Sequence, residues 1–336
     1  MRRNKVVTFL AVASVVALGL TACGSSEGET GSVKTKVFKV AFNQSKTHPQ
    51  ALAIEELGKE LKAQTKGAYE IKLFTDELLG SQAETIELVQ TGSVDMAIVA
   101  GSLLENFNPD FSVLNLPYLY DSQAHQMKVL NDKSIVGELY GSMAAKKLQV
   151  LTAYHGGVRN VYTKAGPVKV PADLKGQKIR VIGSDTNVSM MKLMGGVGTP
   201  MAQGEVYTAI QSGVLDGAEN NELVFADMAH SEISPFYSYT KHLMMPDMLI
   251  TNPSTLKSMS APNRAIFDTL LAKSVTTELT LFDKAVVTAK TKAQTAGAKF
   301  SEADVEAFRT AVKPLYAEKL KTDVTKAIYA KIEAAR

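Results

Sequence analysis

From residue 37 onward the chain alternates between two hydrophobic rhythms. Phe38, Val40 and Phe42 recur at every second position, the period of a half-buried strand, which predicts a strand over 37–42. After a polar turn at 43–48, Pro49 opens a helical pattern with Ile54, Leu57 and Leu61 on one face and Gly67 beyond its end. Tyr69, Ile71 and Leu73 then alternate with Glu70 and Lys72, a second strand. Residues 82–90 read as a helix stopped near Gly92, and 95–99 as a short buried strand. Strand and helix in strict alternation imply a mainly parallel sheet covered by helices.

Residues 106–120, with Pro109 and Pro117 among aromatic residues, predict an ordered loop, followed by helix to about Lys147 and a strand over 148–154. His155-Gly156-Gly157 breaks the pattern and reads as a first crossing between domains. The scheme then repeats: a strand over 177–182, helix over 190–194 and 205–212, a short strand over 214–216, a crossing strand over 241–250, and helices from Ala261 to the end. Residues 84–95 (ETIELVQTGSVD) and 205–216 (EVYTAIQSGVLD) align without gaps and share Glu, Gln, Gly and Asp, which suggests two halves of one local topology.

The N-terminus follows another logic. Arg2, Arg3 and Lys5 precede an uncharged run over 6–20, then Leu20-Thr21-Ala22-Cys23. Basic, apolar and small in that order is a secretory signal, and the run is shorter than the roughly 20 residues of a membrane-spanning helix. Cys23, the only cysteine, stands at the cleavage position, as in the bacterial lipobox, where the cysteine is lipidated. The expectation is a signal peptide over 1–22 and a lipidated Cys23 with a small, polar tether to residue 36. Without Arg2, Arg3 and Lys5, 34 of the 37 basic residues remain against 34 acidic ones, so no broad basic field points to nucleic acid.

Enzyme constellations are missing from the sequence. The five histidines form no His-Glu-x-x-His, there is no Walker A loop, and Gly195-Gly196-Val197-Gly198 lacks dinucleotide spacing. Gly24-Ser25-Ser26-Glu27-Gly28 fits the serine-hydrolase string but lies in the tether, without the strand–turn–helix that the motif needs. The expectation is no enzyme, no cofactor and no metal.

Three segments carry chemistry: Gly156-Gly157-Val158-Arg159-Asn160, the run PADLKGQKIRV over 171–181, and the run QSGVLDGAENN over 211–221. In this order, together with Asn115-Leu116-Pro117-Tyr118-Leu119-Tyr120, they resemble the DctP-type solute-binding subunits of tripartite ATP-independent periplasmic (TRAP) transporters. The resemblance spans about residues 37–320. It implies an α/β, periplasmic-binding-protein type II-like fold, with two lobes around a ligand cleft and long C-terminal helices. One lobe is expected from 37–155 with about 246–284, the other from 156–245 with about 285–336. It also implies an extracytoplasmic, lipid-anchored monomer that closes over a small organic acid anion and delivers it to a permease of one small and one large membrane subunit.

Arg180 lies between Ile179 and Val181 in a strand and so faces away from them. A guanidinium on a rigid strand can grip a carboxylate with two parallel bonds, and the family's carboxylate arginine falls on this position. Arg159, after two glycines, matches a second functional arginine of the family. Asn220 and Asn221 follow a strand end, where ligands of open α/β sheets bind, and an amide both donates and accepts. Glu219 is harder to place, since a carboxylate opposes an acid anion unless it accepts a hydroxyl. The other lobe should contribute from its own strand ends: Asn43, His48, Glu77 and Ser102, with Tyr154 walling the pocket. The Glu219-Asn220-Asn221 run looks most like the sugar-acid branch, although that branch often continues with Trp-Pro and this chain has Glu222-Leu223 and no tryptophan. A hexuronate or other sugar acid is the first expectation. A C4-dicarboxylate, or service to an ATP-driven importer or sensor, stays open.

Overall fold

The computed structural model describes residues 35–336; the signal peptide over 1–22, Cys23 and most of the expected tether lie outside the described residues. Thr35 and Lys36, assigned to the tether by composition, already belong to the fold: the Thr35 hydroxyl bonds Gly67 O (2.9 Å), and Lys36 begins the first strand.

That first lobe is a five-stranded sheet. β1 (Lys36–Ala41), α1 (Pro49–Gln64), β2 (Tyr69–Phe74), α2 (Gln82–Thr91) and β3 (Met96–Ala100) follow the predicted alternation. Two 3₁₀ turns, Gly101–Asn106 and Pro109–Asn115, fill much of the expected loop, followed by α3 (Gln123–Leu130), α4 (Lys133–Gly141) and β4 (Gln149–His155). The second lobe takes up β5 (Arg159–Thr163), β6 (Lys178–Val181), α5 (Asp185–Leu193), β7 (Val197–Pro200), α6 (Val206–Gln211), β8 (Gly217–Asn220), α7 (Glu222–Asp227), α8 (His230–Ile233) and β9 (Phe236–Leu243). The chain then returns through β10 (Pro246–Thr251) and continues as α9 (Ala261–Thr295), β11 (Lys299–Glu302), α10 (Val305–Lys319) and α11 (Asp323–Ala334).

Strand orders are β2-β1-β3-β10-β4 and β11-β9-β5-β8-β6-β7. β1, β2 and β3 run parallel, as do β6, β7 and β8, while β10 and β5 are antiparallel to their neighbours. Three expectations are corrected. The single crossing strand over 241–250 is two strands, β9 and β10, in different sheets. The strand placed at 214–216 begins at Gly217. β11 interrupts the all-helical C-terminus and pairs parallel with β9.

The repeat in the sequence is a repeat in structure. Gly92 and Gly213 both turn the chain through positive φ (77° and 80°) after α2 and α6, a conformation glycine adopts without a Cβ clash. Three residues later Asp95 accepts from Lys39 N–H (2.8 Å) and donates its own N–H to Lys39 O (3.1 Å). Asp216 does the same with Lys178 (2.7 and 2.9 Å). In each lobe one aspartate thus pins the incoming strand to its parallel neighbour.

α9 joins the two parts. Its first half buries Phe267, Leu270 and Leu271 with the first sheet's core, and its second half buries Phe282, Ala289 and Ala293 with Tyr162, Phe225 and Tyr237 of the second. Removing such side chains from water is worth about 1.5–3 kcal/mol each, so the helix is held firmly at both ends. Among the described residues no helix is long and apolar enough to cross a membrane.

Candidate ligand cleft

The carboxyl ends of β1 and β3 face those of β6, β7 and β8, the place where open α/β sheets bind ligands. Only about 20 Å³ of enclosed space remains between them, far below the ~300–1,000 Å³ of ligand pockets, so the two faces are closed onto each other. Asn43, His48, Arg159, Asn220 and Asn221 all line it, joined by Gln44, Gln203 and Asp247. A wider, more apolar depression elsewhere, floored by Gln149–Thr152 of β4, contains neither arginine of the cleft.

Arg159 is fixed in place. Its Nε and Nη2 both bond the Glu219 carboxylate, the latter at 2.7 Å, Nη2 also reaches Glu219 O (2.7 Å), and Nη1 reaches Asn220 Oδ1 (3.0 Å). Strand register explains the pairing: Val161 sits opposite Glu219, so Arg159 is its diagonal neighbour on the same face. His242 Nε2 lies 3.3 Å from the same carboxylate, and the His242 Nδ1 is 2.8 Å from Thr240 Oγ1. Burial alone would raise the Glu219 pKa; the Arg159 charge and the His242 contact outweigh it and hold the carboxyl below the usual range.

Arg180 is equally buried, at 3 % exposure, but differently engaged. Its Nε bonds Met201 O (2.9 Å), and among the described residues its guanidinium forms no ion pair. Burial, then the Arg159 charge, push its pKa down to about 10, so it stays cationic at neutral pH. Across from it stands Glu77, in the loop after β2. The Gly204 amide bonds this carboxylate, while its Oε1 is buried without a partner. Burial raises the Glu77 pKa, against the lowering by Gly204 and Arg180.

The lobes touch over the cavity through Gln203, which sequence reasoning missed. Its Oε1 accepts from Asn43 Nδ2 (2.9 Å) and Gln44 Nε2 (3.1 Å), and its Nε2 donates to Gln44 Oε1 (2.9 Å). Its place just past β7 satisfies the same strand-end rule that singled out Asn43. His242, Asp247 and Gln44 were missed as well; none has a neighbour in sequence that marks it.

The remaining predicted residues are placed as follows. Asn221 caps α7 through Oδ1 (Val224 N, 3.0 Å) and ties Gly156 O through Nδ2 (2.7 Å), so both ends of its amide are engaged. That contact is why Gly157, at φ +79°, cannot carry a side chain: a Cβ there would come within 2.7 Å of Asn221. His48 caps α1, its Nδ1 accepting from Gln50 N (3.3 Å), and burial pushes its pKa down to about 3. Ser102 is fully buried and accepts from Asn187 Nδ2 (3.3 Å). Tyr154 does not wall the cavity; its ring is in the core and its hydroxyl is 2.7 Å from Ser274 Oγ under α9.

The fold is shared with proteins of known structure. A structure from Anaerococcus prevotii, a TRAP periplasmic solute-binding protein with bound α/β-D-glucuronate, superposes with a TM-score of 0.87 at 38% identity, covering 90% of this chain and 98% of that one. One from Bradyrhizobium, in complex with α/β-D-galacturonate, gives 0.86 at 32% identity, covering 89% and 100%. The 2,3-diketo-L-gulonate-binding periplasmic protein YiaO of Escherichia coli is 31% identical over 73% of this chain and 74% of its own. The model of the bacterial extracellular solute-binding proteins, family 7, matches residues 40–323. With a cleft at the strand ends and a two-lobed α/β fold, this chain belongs to that family, as an extracytoplasmic solute-binding protein of the TRAP type and not an enzyme.

Proposed function

We propose that the protein captures a hexuronate, clamps its carboxylate with Arg180, and hands it to a TRAP permease of one small and one large membrane subunit. The observation that carries this reading is the contrast between the two arginines. Arg159 is bound by Glu219, whereas Arg180 has a buried guanidinium with no acid partner among the described residues. One cation without an acid partner suits one carboxylate. The cavity itself offers amides from Asn43, Asn220 and Gln203, which recognise hydroxyls, and one acid, Asp247, which accepts a hydroxyl but opposes a second carboxylate. Asn220 retains Nδ2 as a donor, since Arg159 and the Asn221 amide use its oxygen. His48 and Asn221 wall the pocket, Arg159 presents its remaining Nη1 proton, and Ser102 acts behind the contact surface. This favours sugar acids over C4-dicarboxylates. Cys23 at the lipobox position supports anchoring to the outer face of the cytoplasmic membrane or within the periplasm.

Calorimetric titration of the protein, unfolded and refolded to strip ligand, with D-glucuronate, D-galacturonate, succinate and glucose tests the reading. Tight binding of a uronate, with none for its neutral sugar, is expected. Binding of succinate alone would replace the sugar-acid assignment with the dicarboxylate one.

A further inference from the structure

Behind the ligand cavity the lobes meet at a second seam. Glu105, in the turn Gly101–Asn106 after β3, sits against the start of α5. Thr186 N–H donates to its Oε2 (3.4 Å) and Asn115 Nδ2 to its Oε1 (3.0 Å). The same Asn115 Nδ2 reaches Asn187 Oδ1 (2.9 Å), and Asn187 Nδ2 reaches Ser102 Oγ (3.3 Å). All five side chains are buried.

One acceptor of this seam has no partner, Asn115 Oδ1, whereas the Thr186 hydroxyl faces the Glu105 carboxyl and can donate to it or accept from it. An ionised carboxylate has no hydrogen bond to give, and a protonated one has one. The charged neighbour facing Glu105 is Lys319 of α10, whose ammonium is already held by Asp185 of α5 and by Glu318. The groups facing it from the segment Pro109–Asn115 and from α5 are neutral amides and a hydroxyl. Burial accordingly pushes the Glu105 carboxyl up to about 7, against the bonds from Thr186 and Asn115.

We propose that Glu105 is a positioning residue for cleft closure: it takes up a proton from solvent as the seam forms and holds the turn Gly101–Asn106 against α5. The inference rests on the reading that the cleft closes over a hexuronate. In the open form the turn and α5 part, and the carboxyl meets water and ionises in its ordinary range. In the closed form it is neutral, and its O–H is a donor for the seam's acceptors, Asn115 Oδ1 or the Thr186 hydroxyl oxygen. The group's pKa is higher in the closed form, so closure is favoured as pH falls below about 7 and loses that support as pH rises through it.

The test is calorimetric titration of the mature protein with D-glucuronate at pH 5.5, 6.5 and 7.5, in buffers of different ionisation enthalpy, for wild type, Glu105→Gln and Glu105→Ala. Wild type is expected to weaken about tenfold from pH 5.5 to 7.5 and to take up protons on binding. Glu105→Gln keeps a donor and an acceptor, as the protonated acid does. It is expected to bind at pH 7.5 as tightly as wild type at pH 5.5, with a flatter profile and less proton uptake. Glu105→Ala is expected to bind weakly throughout. Any contribution from His48 is common to all three. Identical pH profiles and proton uptake in wild type and Glu105→Gln would overturn the proposal. Should wild type bind no hexuronate, it is the functional reading that fails, and Glu105 is then read without ligand from the Thr186 amide resonance. Titration of that resonance near pH 7 in wild type and not in Glu105→Gln supports the seam; a flat response in both overturns it.

Discussion

Arg159 of β5 and Arg180 of β6 are buried in the same sheet, on either side of β8, yet only Arg159 has an acid partner, Glu219. Two cations this close disfavour each other, and the Arg159 charge is the second cause, after burial, of the lowered Arg180 pKa. Glu219 neutralises one and leaves the other for whatever anion enters. A buried cation lacking an acid is costly, so on the proposed reading an incoming carboxylate completes the site.

The first prediction concerns that completion. Arg180→Lys keeps the charge but loses the planar fork, and with it one of two charge-assisted bonds worth about 1.5–3 kcal/mol each. Uronate affinity should fall about ten- to hundredfold, and further in Arg180→Ala, with the fold unchanged by circular dichroism. Normal binding by both variants would remove Arg180 from the site.

Glu219→Gln should act on stability as well as binding. It leaves the Arg159 guanidinium buried with only amide and carbonyl acceptors. Breaking a buried pair on one side costs about 3–5 kcal/mol. Urea unfolding should show a lower midpoint with an unchanged slope; an unchanged midpoint would mean that Arg159 finds another anion or reaches water.

His48 supplies a pH prediction. Its pKa is pushed down to about 3 by burial, against about 6.5 when unfolded. The native state therefore excludes a proton that the unfolded state takes up. Stability from this group is full above pH 6.5 and is lost by up to about 1.4 kcal/mol per pH unit as pH falls toward the native value. His48→Asn keeps a capping acceptor for α1 but does not titrate. The stability difference between wild type and His48→Asn should thus shift against wild type below pH 6.5. Comparing the pair removes the opposite trends from Glu105 and Asp247, whose pKa values burial raises.

Much of the frame was legible locally. Alternation gave β1 through β3, and the matched Gly-x-x-Asp of residues 92–95 and 213–216 marked two turns that prove to share their hydrogen bonds, Asp95 to Lys39 and Asp216 to Lys178. What escaped depends on residues far apart in sequence. Gln203 meets Asn43 across 160 positions, and nothing near either one encodes the other. The run over 241–250 looks continuous because both β9 and β10 are apolar; that they belong to different sheets depends on where the chain folds back, near Met244 and Met245. Tyr154 was misplaced because an aromatic residue beside a glycine break fits a pocket wall as well as a core, and strand pleat relative to α9 decided it.

The two strand passages between the sheets lie side by side. Pro246 pairs with His155 and Leu243 with Arg159, so the chain leaves and returns through adjacent strands. α9, 35 residues and about 50 Å long, adds a third tie clamped in both cores. The lobes are therefore tied at three places, so any movement of one against the other has to pass through all three together.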